Sequence, residues 1–353
     1  MTLINEHSTA VGTLLSQLPK VDLHVHLDGS VKPETLLQLA REQGNPINFN
    51  TDSELLSHMQ VSEDCQSLKE YLSKFSFVLP YLQTAAAIER IAFEVVEQAA
   101  KQRVKYIEVR FAPQLHRQMG LSIYEVIEFV LKGLRRGEQA FGTTARAIII
   151  CMRNHPYEMN KDVVQEAGRF YNKGVVAVDL AGDEASFPAE LFLQLFADAR
   201  QLGLPVTIHA GEAAGAENVK VAVTDLGALR IGHGVRMLED PSVVALVKER
   251  QIPLEMCPLS NMQTKAVSGW AAYPLRQYME QGIVVTVNTD NMTVSDTTLQ
   301  KEYERLIANC GLTINDIGTI IMNGFKAAFL EEREKARLIV HVEAELTKLG
   351  LQV

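Results

Sequence analysis

The feature that most constrains this chain is a repeated alternation of strand and helix. Short apolar runs suited to single strands recur eight times, each separated from the next by helix-patterned sequence. The first holds Lys20-Val-Asp-Leu-His24-Val-His26-Leu, followed by Tyr106 to Phe111, Ala145 to Met152 and Val175 to Leu180. Val206 to His209, Arg230 to Gly232, Pro253 to Met256 and Ile283 to Asn288 complete the set. Helical patterns cover Lys32 to Glu42, Ala85 to Gln102, Ile123 to Gln139, Lys161 to Asn172 and Ala189 to Leu202. They continue over Ala216 to Leu226, Ser242 to Arg250, Tyr273 to Gln281 and from Thr298 to the end. Strands alternating with helices need right-handed crossovers and form a parallel sheet, and eight such units predict closure into a (β/α)8 TIM-type barrel. With no Pro/Gly/Ser-rich linker, internal repeat or low-complexity segment, residues 1–353 read as a single α/β barrel domain.

One segment is extra to this alternation. From Cys65 to Gln83 the pattern is helical, and Leu68, Tyr71, Leu72 and Phe75 recur at i, i+3, i+4 and i+7 as one apolar stripe. Such a stripe ordinarily packs on a core. Placed directly after the first strand, it is also expected to hang over the barrel mouth as a helical lid.

Composition narrows the range of partners. The formal charge of -9 disfavours nucleic acid, whose phosphates call for clustered Lys and Arg. Apolar runs such as Ala147 to Met152 fall far short of the ~18–20 residues of a membrane span. Met1 to Gln17 lacks the basic and then apolar pattern of a secretory leader, so the cytoplasm is the expected location. Cys65, Cys151, Cys257 and Cys310 are scattered with no C-x-x-C pair, and buried reduced thiols are expected. A small, weakly charged ligand fits these properties.

In a barrel of this kind the chemistry gathers at the C-terminal strand ends. Those ends carry His24, His26 and Asp28, then Arg110, Arg153 and Asp179 to Glu184. His209-Ala-Gly-Glu212, Gly232-His233-Gly234, Cys257-Pro-Leu-Ser-Asn261 and Asn288-Thr-Asp290-Asn291 follow. Residues two apart on a strand share a face, so His24 and His26 can aim at one point. Four of the nine histidines fall on this rim; His7, His58, His116, His155 and His341 lie elsewhere and are expected to be structural. Imidazoles with a carboxylate suit a divalent transition ion, zinc being the commonest. Two ligand sets are open. A two-metal site would use His209 and His233 and need a bridging lysine at strand four, which ends Val-Asp179-Leu180 without one. The single-metal set is favoured: His24, His26, His209 and Asp290 as ligands, with His233 beside a bound water as a base. Glu212 reads either as a helix-start carboxylate or as a proton carrier to the substrate.

The ordered series His24-Val-His-Leu-Asp-Gly29, Asp179-Leu-Ala-Gly-Asp-Glu184, His209-Ala-Gly-Glu212, Gly232-His-Gly234, Cys257-Pro-Leu-Ser-Asn261 and Asn288-Thr-Asp290 resembles that of the adenosine deaminase family. Cys151-Met-Arg153 and the stripe from Leu68 to Phe75 resemble it too. The resemblance spans nearly the whole chain. It implies a barrel with one Zn2+ that converts adenosine and 2'-deoxyadenosine to the inosine nucleosides and ammonia. By the same resemblance, His24, His26, His209 and Asp290 would bind the metal, and His233 and Asp290 would orient hydroxide and accept its proton. Glu212 would protonate purine N1, Gly182 would offer its backbone to N3, and Asp28 would hold the ribose 5'-hydroxyl. His26 and the lid residues Leu68, Leu72 and Phe75 would border the substrate. The chain departs from the family at Asn291, where a second aspartate is usual, and at Met292-Thr-Val-Ser-Asp296 in place of a Pro-containing loop. Asn291 is expected to donate to purine N7. A related deaminase acting on adenine or a 5'-modified adenosine is the runner-up reading. Of two more distant rivals, retained Glu212 and His233 speak against a non-catalytic metal-binding protein, and the missing strand-four lysine against a cyclic carbon–nitrogen hydrolase.

Overall fold

The computed structural model describes residues 11–49, 51–62 and 64–352. Residues 1–10, which hold His7 and most of the stretch read for a leader, lie outside the described residues.

Eight parallel strands form the centre: β1 (Lys20–His26), β2 (Val104–Phe111), β3 (Thr144–Met152), β4 (Val175–Ala181), β5 (Thr207–Ala210), β6 (Arg230–His233), β7 (Leu254–Met256) and β8 (Val285–Val287). Ladders run in the orders β1-β2-β3-β4 and β5-β6-β7-β8. Two bridges join these halves, Val178 with Val206 and Val25 with Asp290. At the first, Val178 N donates to Pro205 O at 3.0 Å; at the second, His26 N donates to Asp290 O at 2.7 Å and Asp290 N to His24 O at 2.8 Å. The sheet is therefore a closed barrel, as the eightfold alternation predicts.

The two faces of β1 show how sequence assigns inside and outside. Val21, Leu23 and Val25 join the apolar core around the barrel. Asp22, His24 and His26 take the alternate face. Register then sets their neighbours: His26 pairs with Arg110, His209 with Gly232 and Ala210 with His233, which places these groups at one level of the barrel.

The segment after β1 is less regular than its stripe predicts. It contains helices Asp52–Met59, Leu68–Leu72 and Phe75–Val78 and a 3-10 turn over Leu79–Tyr81. Ser67 starts the second helix by accepting from Glu70 N. The Ser73 hydroxyl then takes the Glu70 carbonyl at 2.6 Å, competing with continued α-helix, and Pro80 supplies no backbone N–H further on. Even so, Leu68, Tyr71, Leu72 and Phe75 stay on one side and border one cavity. The segment is tied to the loop after β8 by Tyr71 Oη to Ser295 Oγ at 2.6 Å and Val61 N to Val294 O at 3.0 Å.

Elsewhere the structure extends or trims the expected elements. The helix expected from Lys161 begins at Tyr157, and that expected over Tyr273 to Gln281 spans Leu275–Glu280 after a 3-10 turn. The chain's last helical stretch is three helices: Leu299–Cys310, Ile314–Ala327 and Glu332–Lys348. All four cysteines are free; Cys310 alone is only half-buried. Among the described residues no helix is long and apolar enough to cross a membrane.

Candidate active site

At the C-terminal mouth of the barrel, β1, β5, β6 and the end of β8 bring four imidazoles and one carboxylate together. His26 Nε2 lies 3.2 Å from His209 Nε2 and 3.3 Å from Asp290 Oδ1, and His24 Nε2 lies 3.6 Å from the same oxygen. Two of these histidines have a carboxylate partner on the outer ring nitrogen. His24 Nδ1 donates to Glu255 Oε2 at 3.0 Å, and His209 Nδ1 donates to Asp179 Oδ2 at 2.9 Å. Both rings are thereby held with their Nε2 lone pairs facing inward. The His24 Nε2 atom is buried with no hydrogen-bond partner.

An orphaned lone pair facing a carboxylate and two further imidazoles is what a cation would resolve. Four donors at ~2.0–2.1 Å from one tetrahedral centre stand about 3.3 Å apart, close to the spacings above. The residues therefore fit one transition ion. His24, His209 and His233 also have donor atoms within 4.8 Å of one another, as do His24, Cys257 and Asp290. His233, however, is engaged differently: its Nδ1 accepts from Asn261 Nδ2 at 2.9 Å, so the neutral ring carries its proton on Nε2. Burial above all holds its pKa well below the usual histidine range and keeps it neutral. That tautomer is a hydrogen-bond donor toward the cavity. Cys257 keeps its thiol proton, because burial and then Asp290 push its pKa far up.

Local backbone geometry serves the same cluster. His233 and Asp290 have φ of 65° and 59°, a left-handed conformation that side chains rarely adopt. Beside His233, Gly232 leaves room for a ring: a Cβ there would meet His24 Cε1 at 3.0 Å.

These groups open on a cavity of about 520 Å³, within the ~300–1,000 Å³ usual for small-molecule sites. Its lining includes His26, Asp28, Gly182, Glu212, Asp290 and Asn291, with apolar walls from Leu68, Leu72, Phe75, Ile150 and Met152. Every residue expected to touch substrate thus borders one cavity. Among the described residues no Lys or Arg lines it.

Glu212 is a strongly perturbed acid there. Burial first, then the charges of Asp290 and Glu184, raise its pKa well above the carboxylate range, against a hydrogen bond from Thr264. The Thr264 hydroxyl donates to its Oε1 at 3.1 Å, while its Oε2 lies 3.6 Å from His233 Nε2. The loop beneath it is held by one side chain. Glu184 accepts from the backbone N–H groups of Gly211, Glu212, Ala213 and Ala214 at 2.7–3.0 Å. Asp28 is pushed up to about 6 by burial, against the N–H groups of its own residue and Gly29. Asn291 reaches the cavity wall, but its Nδ2 donates to Asp290 Oδ1 at 2.7 Å and its Oδ1 is buried without a partner. The expected N7 donor thus also supports the Asp290 carboxylate.

Several supporting residues escape a reading confined to strand ends. Glu255 binds His24 and accepts from Arg110 at 2.7 Å, Arg230 at 2.6 Å and Thr207 at 2.9 Å. Arg110 in turn donates to Asp179 at 2.9 Å, and Arg230 donates to Glu108. The sequence does carry a signal for them: Glu108 and Glu255 each stand between two apolar strand residues and Arg230 opens a strand, where a buried charge must find partners.

The family model for adenosine deaminase matches residues 19–345. An adenosine deaminase of Clostridium botulinum is 44% identical over 328 residues, covering 93% of this chain and 99% of the relative. Among solved structures, a zinc-bound amidohydrolase from Burkholderia ambifaria superposes with a TM-score of 0.88 at 26% identity, covering 96% of this chain and 93% of that one. An adenine deaminase from Arthrobacter aurescens gives 0.84 at 25% identity, covering 94% and 99%. With its barrel, its imidazole and carboxylate cluster and a match over nearly its full length, this chain belongs to the adenosine deaminase family.

Proposed function

We propose that the chain is a single-domain enzyme that binds one zinc ion and hydrolytically deaminates adenosine and 2'-deoxyadenosine. The observation that carries this reading is the convergence, in one apolar cavity, of an acid kept protonated and a metal-competent cluster with an orphaned imidazole nitrogen. His24, His26, His209 and Asp290 would hold the ion. When bound, zinc supplies a nucleophile at neutral pH by lowering the pKa of water from ~15.7 toward ~7.

The remaining steps fall to the protein's own groups. His233 orients the nucleophile through Nε2–H, and Asp290 receives its proton. Glu212, its pKa raised by burial, donates a proton to purine N1 as C6 is attacked, so that charge does not build on the ring; the C6–N bond then breaks and the amine leaves as ammonia with the proton that Asp290 received. Gly182 N–H meets N3, and Asp28 accepts from the ribose 5'-hydroxyl. The segment carrying Leu68, Leu72 and Phe75 acts as a lid that excludes water from the reacting carbon.

An adenine deaminase is the second reading, favoured by the fold neighbour of that name. Asp28 weighs against it, since a carboxylate on the cavity wall would have a partner in a ribose hydroxyl. A 5'-phosphate would meet the same carboxylate with no cation among the described lining residues. Ultraviolet assays with adenosine, 2'-deoxyadenosine, adenosine monophosphate and adenine test this directly. The nucleosides should be turned over with the highest kcat/KM; a strong preference for adenine would promote the second reading, and comparable use of the monophosphate would remove Asp28 from 5'-hydroxyl recognition.

A further inference from the structure

The buried acid Glu302 has no place in the chemistry above. It lies in helix Leu299–Cys310, is 1% exposed and borders no part of the cavity. Its two oxygens are committed to different loops. One accepts from the backbone N–H of Leu259 at 3.0 Å; the other accepts from the Thr297 hydroxyl.

Both loops carry parts of the site. Leu259 belongs to helix Pro258–Gln263, whose flanking Cys257 provides no side-chain cap. The same helix holds Asn261, which fixes the His233 tautomer, and Thr264 directly after it, which donates to Glu212. Thr297 closes the loop that follows Asp290: its N–H donates to Met292 O at 3.0 Å, and Ser295 N donates to Asn291 O at 3.0 Å. Arg305 Nη1 donates to the Thr297 hydroxyl at 3.3 Å, which places a cation beside this pair. Packing alone would be served by an apolar side chain without the cost of burying a carboxyl.

We infer that Glu302 is a positioning residue for the deamination, locking the β7 and β8 loops together so that Asn261 holds His233 as an Nε2–H donor toward the cavity. The inference rests on the roles proposed above for His233 and Asp290. Glu302 touches neither substrate nor metal ligand and acts through Leu259 and Thr297. Loss of the Leu259 bond frees the short helix to shift, weakens Asn261 Nδ2 to His233 Nδ1, and lets the imidazole proton move to Nδ1.

The test uses purified zinc-loaded protein and the variants Glu302→Leu and Glu302→Gln, with adenosine kinetics, zinc content and 15N NMR of histidine ring nitrogens. Gln keeps an acceptor for Leu259 and can donate to the Thr297 hydroxyl, so it should restore what Leu removes. In Glu302→Leu, kcat should fall about tenfold or more while KM and zinc content hold and His233 gains Nδ1–H character. Glu302→Gln should stay near the parent in all four measurements. Parent-like kcat in the Leu variant, a loss that Gln does not restore, or a loss with the His233 tautomer unchanged would each overturn the inference. Should the Leu variant not fold, Glu302→Asp replaces it. One methylene too short to span both loops, it should lower kcat and shift the tautomer, and a parent-like result would overturn the inference equally. Failure of the parent itself to deaminate adenosine would instead refute the proposed activity.

Discussion

Glu212→Gln tests the central acid. The amide keeps the shape of the side chain and an oxygen for the Thr264 hydroxyl, but it cannot deliver a proton to N1. General acid catalysis is worth about 100- to 10,000-fold. Here Glu212 is 4% exposed, which keeps bulk water from standing in as the acid. The loss should therefore lie in the upper range, about 1,000- to 10,000-fold in kcat, or about 4–5.5 kcal/mol of barrier. Zinc content should match the parent, because Glu212 is not among the ion's proposed ligands. Stability gives an independent check on the raised pKa. A carboxyl whose folded pKa lies above its unfolded value, 4.5 here, contributes stability that is complete below pH 4.5 and is lost as pH rises through the folded pKa. Gln does not titrate. The stability of the parent relative to Glu212→Gln should thus decline as pH rises above 4.5, with a slope of up to about 1.4 kcal/mol per pH unit until the folded pKa is passed. Denaturant unfolding across pH and steady-state deamination measure both effects. Near-parent turnover, or a stability difference flat in pH, would refute the reasoning.

Other outcomes follow from the same geometry. Chelation should abolish turnover and lower the thermal midpoint, with activity returning at one zinc per chain; a requirement for two ions would contradict the single-ion cluster. Gly232→Ala should weaken zinc retention, since its Cβ would press on His24 Cε1 at 3.0 Å; dialysis and metal analysis read this, and unchanged retention would show that the ring yields freely. Asn291→Asp places a second carboxylate within reach of Asp290, where it must keep a proton; activity should persist at mildly acidic pH and fall as that proton leaves, and a profile matching the parent's would contradict this. If Asn291 also reaches N7, 7-deazaadenosine should react poorly, because a buried donor left unpaired costs about 1–3 kcal/mol; equal kcat/KM for the two substrates would leave Asn291 only its bond to Asp290.

What can be read without coordinates follows the range of the interactions involved. The barrel is legible because its period is local: apolar runs for strands and striped segments for helices. His24 and His26 are legible for the same reason, since alternation along one strand puts them on one face. The stripe from Leu68 to Phe75 predicts a shared surface, which the fold has, and one unbroken helical region, which it lacks. A stripe reports side-chain direction, whereas the break comes from Ser73 taking a backbone carbonyl and from Pro80. The tautomers are out of reach. Whether an imidazole presents a lone pair or a proton depends on what its other nitrogen touches, and those partners are remote: Glu255 stands 231 residues from His24, Asp179 30 from His209 and Asn261 28 from His233. His24 and His209 each meet a carboxylate and turn a lone pair inward, while His233 meets an amide N–H and turns a proton inward. Three histidines with similar positions at strand ends thereby divide into two that turn a lone pair inward and one that donates. Residue type can nominate all three, but only the chain's long-range pairing can tell them apart.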